Sequence, residues 1–474
     1  MDNNTQQLFE DTICAISTPP GRGGIAVARI SGRDAITITA KCWRGIDLNT
    51  AASHTAHFGR IIDTTATDCP ILDEVVLTIF RGPHSFTGED VVEISCHGST
   101  YIQQQLLNVL IGCGCRIATA GEFTRRAFAN GRLDLSQAEA VADVIASSSR
   151  AAHRIAISQM RGAFSQQLQQ LRDQLLQFVS LMELELDFSE EEVEFADRSR
   201  LLQLATDIQR IIDRLAGSFA MGNAIKNGVP VAIVGETNAG KSTLLNLLLG
   251  DDRAIVSDIH GTTRDVIEDT ITIDGILYRF IDTAGIRDTA DTIESMGIER
   301  TFRKIDDAAI VLWVIDGTAS ADDLAALSAK ILAHCSADKS LIAVVNKDDA
   351  IDKPQRDAIS STLHEILPQG ARLINISARA HANIDSLLAA LRHAASLPDN
   401  DLGEVVVTNA RHYQALCQAS QAISRAIDGL RQGISGDFVS QDIRECMHYL
   451  GEITGRITTT DILTQIFSHF CIGK

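Results

Sequence analysis

Apolar runs of bilayer-spanning length are missing from this 474-residue chain: the longest, Ala308 to Ile315, falls far short of the about 20 residues a membrane helix needs. An apolar leader is missing as well. The first residues, MDNNTQQLFEDTI, are polar and acidic, so the expectation is a cytoplasmic protein with no signal peptide and no membrane attachment. Positive charge is scarce, 42 Lys and Arg against 61 Asp and Glu, for a net charge of −19. That balance lacks the basic face of an autonomous nucleic-acid binder, so any contact with RNA should be local or supplied by a partner. No C-x-x-C pair occurs among the ten cysteines. Only Cys113-Gly114-Cys115 and, loosely, Cys69 with Cys96 stand near each other, so buried or idle thiols in a reducing compartment are expected rather than a disulfide framework. A dinucleotide-binding G-x-G-x-x-G fingerprint is also lacking, so flavin or nicotinamide chemistry would belong to another chain.

What the chain does have is organised around Val229 to Ser242, VPVAIVGETNAGKS. The β-branched run Val229 to Val234 predicts a buried strand, and it breaks at Gly235 into a loop ending in Gly240-Lys241-Ser242. This is G-x-x-x-x-G-K-S, the P-loop, in which glycines let successive N–H groups converge on phosphate oxygens while a helix aims its positive end at the same anion. Lys241 supplies a charge for the β- and γ-phosphates and Ser242 a hydroxyl for Mg²⁺; Asn238, Ala239 and Thr243 complete the loop.

Four further motifs follow in order. Gly261-Thr262-Thr263-Arg264-Asp265 lies where a threonine that completes the Mg²⁺ shell belongs, and Thr263 fills that place. Asp282-Thr283-Ala284-Gly285 follows the apolar run Ile276 to Ile281, placing a carboxylate and a glycine where Mg²⁺ and a γ-phosphate would be felt. Asn346-Lys347-Asp348-Asp349 follows Leu341 to Val345; Asp349 can accept two hydrogen bonds from guanine N1–H and N2–H₂, a pattern adenine does not offer. Ser377-Ala378, followed by Arg379, comes after Arg372 to Ile376 and fits a backbone contact to guanine O6. Five motifs in sequence specify guanine nucleotide binding.

The length allows two to four domains. Residues 1–132 carry short strand-like runs (Ile25 to Ile30, His57 to Ile62, Val75 to Phe80, Val91 to Ile94) and the helical stretches Tyr101 to Ile111 and Gly121 to Ala129, an α+β pattern. Two loops in it, Pro19 to Gly24 and Gly82 to Asp90, are rich in residues that set special backbone angles, and either frame a site or make tight connections. From Leu133 the period turns helical: Phe164, Leu168, Leu171, Leu175, Phe178 and Met182 form one apolar stripe that needs a helical partner. The acidic cluster Glu190 to Glu194 reads as a solvated turn rather than a metal site. A second helix covers Leu201 to Leu215; after the last guanine-domain helix, Ile384 to Ala395, helical composition returns at Ala410 to Leu430 and Ser440 to Gly451. The expected domains are 1–132, a helical part at 133–228, a nucleotide domain at 229–397 inserted within it, and a second helical part at 398–474.

With P-P-G-R-G-G, S-F-T-G-E-D, G-E-F-T-R-R-A-F, L-D-L-S-Q-A-E-A, G-T-T-R-D and the terminal Phe470-Cys471-Ile472-Gly473-Lys474 in place, the chain resembles the MnmE (TrmE) family along essentially its whole length. The resemblance implies an N-terminal α+β tetrahydrofolate-binding domain, a discontinuous all-α helical domain and an inserted α/β Ras-like G domain. It implies a homodimeric, potassium-dependent GTPase. With a flavoprotein partner (MnmG, also called GidA), in a heterotetramer or larger complex, such a GTPase adds carboxymethylaminomethyl or aminomethyl to C5 of the wobble uridine U34 of tRNA. FAD belongs to the partner only.

Where Ras-type enzymes carry a water-orienting glutamine after D-T-A-G, this chain has Ile286. By resemblance Glu294 orients the water through a relay, and K⁺ replaces an arginine finger, held by the Asn238 side chain and oxygens of Ser257, Ile259 and Thr262, with Asp258 and His260 in the same nucleotide-contacting loop. The chain departs from the family at Ser257, where threonine is common, and His260, where a small residue is common. The resemblance also assigns Arg29, Glu93, Arg132 and Lys474 to a tetrahydrofolate derivative, 5-formyl or 5,10-methylene; lysine is more usual at the place of Arg132. Cys471 is a candidate functional thiol near that site, since Gly473 and Lys474 fit a prenylation signal badly. The guanine motifs alone also permit a regulatory GTPase switch for ribosome assembly or stress signalling, or a scaffold that holds a partner enzyme.

Overall fold

The computed structural model describes residues 11–187, 198–236, 238–250, 269–274, 276–281, 305–306, 308–319, 328, 331–335, 339–395 and 405–457, and in the last stretch 463, 466–468, 470 and 473. Two compact units divide the chain, one from Met1–Ala142, Ser158–Gln203 and Gln421–Lys474, the other from Asp143–Ile157 and Leu204–Ser420.

In the first unit seven strands form one sheet: β1 (Ile13–Ile16), β2 (Ile25–Ser31), β3 (Trp43–Arg44), β4 (Thr55–Ile62), β5 (Ile71–Phe80), β6 (Val91–His97) and β7 (Arg116–Ile117), in the order β3-β4-β5-β6-β2-β1-β7. All neighbours are antiparallel except β1 and β7. Period-two alternation sets the faces. Ala28, Ile30, Val75, Leu77, Ile79, Val92 and Ile94 form one core with residues of the helices Ala35–Cys42 and Thr100–Cys113. The opposite face carries Arg29 and Glu93, which are directly paired in register, and exposed Phe58 and Val76. The expected strands are all present; β1, β3 and β7 are too short, at four, two and two residues, to have shown a period.

The helices of this unit follow from the apolar stripe. Ala163–Asp187 buries Phe164, Leu168, Leu171, Leu175, Phe178 and Met182, and it packs against Gly436–Thr454, whose buried side includes Val439, Ile443, Cys446, Leu450 and Ile453. An Arg444–Glu183 ion pair ties the outer edges of the two helices. Phe467 and Phe470 pack on Leu135 and Ala138 of the helix Leu135–Ala146. Gly473 then reaches the end of β1, where its carbonyl accepts from Ser17 Oγ at 2.9 Å. Gly473 has φ +97°, and a Cβ there would stand 2.3 Å from the Ile16 carbonyl oxygen, so glycine is required.

The second unit holds a six-stranded sheet of order β13-β12-β11-β8-β10-β9, from β8 (Val229–Gly235), β9 (Asp269–Ile273), β10 (Ile276–Phe280), β11 (Ile310–Asp316), β12 (Ser340–Asn346) and β13 (Arg372–Asn375). Every pair is parallel except β9 with β10. A parallel sheet is buried on both faces, which explains the unbroken apolar runs of β8, β11 and β12. Leu244, Leu245 and Leu248 of the helix Lys241–Gly250 and Leu387 and Leu391 of Ile384–Ala394 share one core with it. Ile359 and Leu363 of Lys353–Ile366 pack with Trp313 in the core of the other face. Helices outside the sheet's sequence limits, among them Phe219–Asn227, belong to the same unit: Ile155, Ile225 and Val406 share a small core, and Val407 N–H donates to Ser218 Oγ at 3.0 Å.

Among the described residues no helix is long and apolar enough to cross a membrane, and no group of three or more His, Cys, Asp or Glu could hold a metal ion. All nine described cysteines are free thiols; Cys69 is exposed and Cys96 buried, and Cys14 lies against Cys115, a proximity that sequence spacing does not show.

Candidate nucleotide site

Because β8, β10, β11, β12 and β13 run parallel, their carboxyl ends meet along one edge of the sheet, where open α/β sheets bind ligands. β8 ends at Gly235, and the helix Lys241–Gly250 begins at the lysine of the P-loop. Between them Asn238 takes the left-handed conformation, φ +66°, and Gly240 has φ +94°. A Cβ on Gly240 would fall 2.1 Å from Asn346 Nδ2, so only glycine admits that asparagine against the loop. The Lys241 ammonium is folded into the loop, donating to the carbonyls of Gly235 (2.9 Å) and Glu236 (2.6 Å).

Asn346, at the end of β12, joins the motifs. Its Nδ2 donates to the Ala239 carbonyl at 2.9 Å and its Oδ1 accepts from Ala378 N–H at 3.0 Å. One buried amide therefore fixes the P-loop and the S-A turn to the N-K-D-D turn. The rest of that turn is pinned residue by residue: Arg356 grips Asp348 through Oδ1 (2.5 Å) and Oδ2 (2.9 Å), and Ser377 Oγ donates to Asp349 Oδ1 at 2.6 Å. Ser377's hydrogen bond and the charge of Arg379 hold the Asp349 carboxyl below its ordinary value, keeping it an ionised acceptor. Lys347, in the left-handed conformation with φ +64°, reaches Asp316 Oδ2 at 2.6 Å. Asp316 carried no local signal; the register Asp316↔Asn346, which follows from aligning β11 with β12, places it.

The structure thus brings together Asn238, Ala239, Gly240, Lys241, Ser242, Asn346, Lys347, Asp349, Ser377, Ala378 and Arg379 at one sheet edge; Thr243 is the third residue of the P-loop helix. Ser257 to Thr263, Asp282 to Gly285 and Glu294 lie outside the described residues, as do Glu190 to Glu194.

In the first unit Arg29 and Glu93, assigned to folate by resemblance, bind each other, Arg29 Nε and Nη2 both 2.8 Å from Glu93 Oε1. The Arg29 guanidinium also lies 5.3 Å from the Phe86 ring centroid and 5.7 Å from that of Phe123. Sequence reading missed both aromatics, one in the Gly82 to Asp90 loop. Arg132 abuts the same loop at Gly88, and Asn130 Nδ2 donates to Thr87 O at 2.7 Å. A carboxylate, a guanidinium and two rings make a donor set suited to a flat polar heterocycle. Lys474 and Cys471 lie outside the described residues; Gly473 lies at the end of β1, the strand paired with β2 that carries Arg29.

The family description "MnmE helical domain" matches residues 135–471, and "GTP-binding protein TrmE N-terminus" matches 12–132. A tRNA modification GTPase MnmE from Bacteroides thetaiotaomicron is 56% identical over 471 residues, covering 98% of this chain and 100% of its own. This chain belongs to the MnmE family of tRNA modification GTPases. The MnmE proteins of Parabacteroides distasonis (54% identical) and Flavobacterium johnsoniae (49%) also match over 98% of this chain and 100% of their own. The MnmE architecture, an N-terminal α+β domain with helical and Ras-like G domains, accounts for both sheets, and as a member this chain is a GTP hydrolase.

Proposed function

We propose that this chain is a potassium-dependent GTPase which, with a flavoprotein partner (MnmG/GidA), adds a carboxymethylaminomethyl or aminomethyl group to C5 of the wobble uridine of tRNA. Full-length similarity to MnmE proteins supports the tRNA-modifying class, and the Asn346 bridge is the observation that carries the guanine-nucleotide reading. In it the P-loop holds phosphates, Asp349 and the Ser377-Ala378 turn read guanine, Lys241 meets the γ-phosphate charge and Glu294 orients the attacking water. Mg²⁺ would be held by Ser242 and Thr263, and K⁺ by Asn238, Ser257, Ile259 and Thr262. The potassium ion supplies a fixed positive charge toward the β- and γ-phosphate oxygens.

In the same reading Arg29, Glu93, Arg132 and Lys474 hold a tetrahydrofolate derivative as the one-carbon source, and the stacked geometry of Arg29 with Phe86 and Phe123 fits an aromatic ligand. Cys471 is a functional thiol beside it. The domains run 1–132, 133–228 with 398–474, and 229–397, and the cytoplasmic protein works as a homodimer within a heterotetramer or larger complex with its partner, together with which it engages tRNA. The test is GTP turnover by the purified protein in matched potassium and sodium buffers, with Asn238→Ala alongside. Strong potassium stimulation lost in the variant is expected. Equal slow turnover in both salts would instead favour a regulatory switch awaiting an external activator.

A further inference from the structure

We infer that Asp316 is a positioning residue for guanine-nucleotide binding, acting by holding Lys347 at its far end before the nucleotide arrives; this rests on the guanine-nucleotide reading above. The two residues are 31 apart in sequence and meet because β11 and β12 are parallel in the register Asp316↔Asn346. Lys347 is a non-glycine residue at φ +64°, and ψ +34°, a conformation that persists only where its surroundings hold it. Its ammonium lies 2.6 Å from Asp316 Oδ2.

Asp316 is itself fixed. Its Oδ1 accepts from Thr318 N–H (2.9 Å) and Thr318 Oγ1 (2.7 Å), which leaves Oδ2 for the lysine. Gly317 N–H donates to the Asn346 carbonyl at 2.9 Å, so the ends of β11 and β12 are tied by backbone as well. Burial raises the Asp316 carboxyl's affinity for protons, but the hydrogen bonds from Lys347 and Thr318 outweigh it and hold the group below its ordinary value. The pair is partly shielded, the side chains 37% and 16% exposed, so it is firmer than a fully solvated ion pair.

Each other side chain of the N-K-D-D turn has its own anchor: Asn346 in Ala239 and Ala378, Asp348 in Arg356, Asp349 in Ser377. Asp316 does the same for Lys347, the longest and most flexible of the four. A lysine tethered at its ammonium has given up its rotamer freedom in advance, so its methylene stem forms a preset wall at the nucleotide site. Asp316 does not meet the base, so its removal should weaken binding without changing which base is chosen.

The test uses the full-length protein and N-methylanthraniloyl-GDP, with wild type, Asp316→Asn, Lys347→Ala and the double variant. Asparagine keeps the Oδ1 acceptor for Thr318 and puts an uncharged NH₂ donor in place of the charged Oδ2 acceptor that faces Lys347. Expected are an about tenfold weaker Kd for Asp316→Asn, a loss at least as large for Lys347→Ala, and a double variant within about twofold of Lys347→Ala. In turnover assays KM should rise with Kd while kcat moves less than about twofold. Should Asp316→Asn fail to fold, Asp316→Glu, which retains the charge, should bind within about threefold of wild type. Wild-type affinity in Asp316→Asn, a further tenfold loss on top of Lys347→Ala, or tenfold weaker binding by Asp316→Glu would each overturn the inference. Absence of saturable binding by the wild type would overturn the guanine-nucleotide reading and this inference with it.

Discussion

Ser377 donates its hydroxyl to the Asp349 carboxylate at 2.6 Å, so the residue expected beneath guanine O6 also aims the carboxylate expected at the guanine N1 edge. The same hydroxyl accepts from Ala380 N–H at 3.0 Å, which shapes the turn after β13. Ser377→Ala removes both bonds. A hydrogen bond of this kind is worth about 1 kcal/mol, so GDP affinity should fall roughly fivefold to tenfold, as read by fluorescent-nucleotide titration.

Asp349→Asn replaces a two-acceptor carboxylate with an amide that offers one acceptor and one donor edge. GTP loses a complementary pair, whereas xanthosine triphosphate, with a carbonyl where guanine has its amino group, gains one. GTP affinity should fall by at least about a hundredfold and the xanthine nucleotide should bind better than GTP. Unchanged preference in competition titrations would remove Asp349 from base recognition.

Glu122 makes one pH-dependent contribution to the first unit. It is fully buried, accepts from Arg116 Nη2 (2.7 Å), Thr119 N–H (2.8 Å) and Arg126 Nη2 (3.1 Å), and belongs to a network in which the buried Arg126 also meets Asp11 and Glu89. Burial alone would raise its carboxyl; the Arg116, Thr119 and Arg126 bonds reverse that and bring it down from 4.5 to about 2. The folded value lies below the unfolded one. Its contribution, about 3 kcal/mol, is therefore complete above pH 4.5 and lost as the pH falls toward 2. Glu122→Gln should lower the unfolding midpoint clearly at pH 7, and the gap from wild type should close between pH 4.5 and 2.

Gly473→Ala tests the tail. The left-handed φ of +97° and the 2.3 Å approach to the Ile16 carbonyl mean that alanine must move the backbone, at about 1 kcal/mol or more. Hydrogen exchange should quicken in residues 466–473 and carboxypeptidase should remove the tail faster, while exchange in β11 and β12 stays as in the wild type.

Much of this was legible because the parallel sheet is buried on both faces: β8, β11 and β12 read as apolar runs, and motifs at their ends had to converge once the strands were aligned. The Phe164 to Met182 stripe was legible for the same kind of reason, all six residues proving buried. What stayed hidden depends on register or on distant neighbours. Arg126 reads as an ordinary helical arginine, yet it is fully buried because Glu122, Asp11 and Glu89 surround it. Phe86 lies in a loop with no period, and only the fold stacks it on Arg29. Asp316 needs the β11–β12 register before its partner can be named.

The pairing of Ala163–Asp187 with Gly436–Thr454 sets a timetable for synthesis. The apolar side of the earlier helix leaves the ribosome long before its partner exists, since the intervening residues 188–435 take roughly 10–50 s at typical rates of 5–20 residues per second. The seven-stranded sheet and the helices of its own core precede that helix in the chain, but Phe164, Leu168, Leu171 and Leu175 lack the cover of Gly436–Thr454 until it is made. A truncation before Gly436 would leave the apolar side of Ala163–Asp187 without that partner however complete the seven-stranded sheet is.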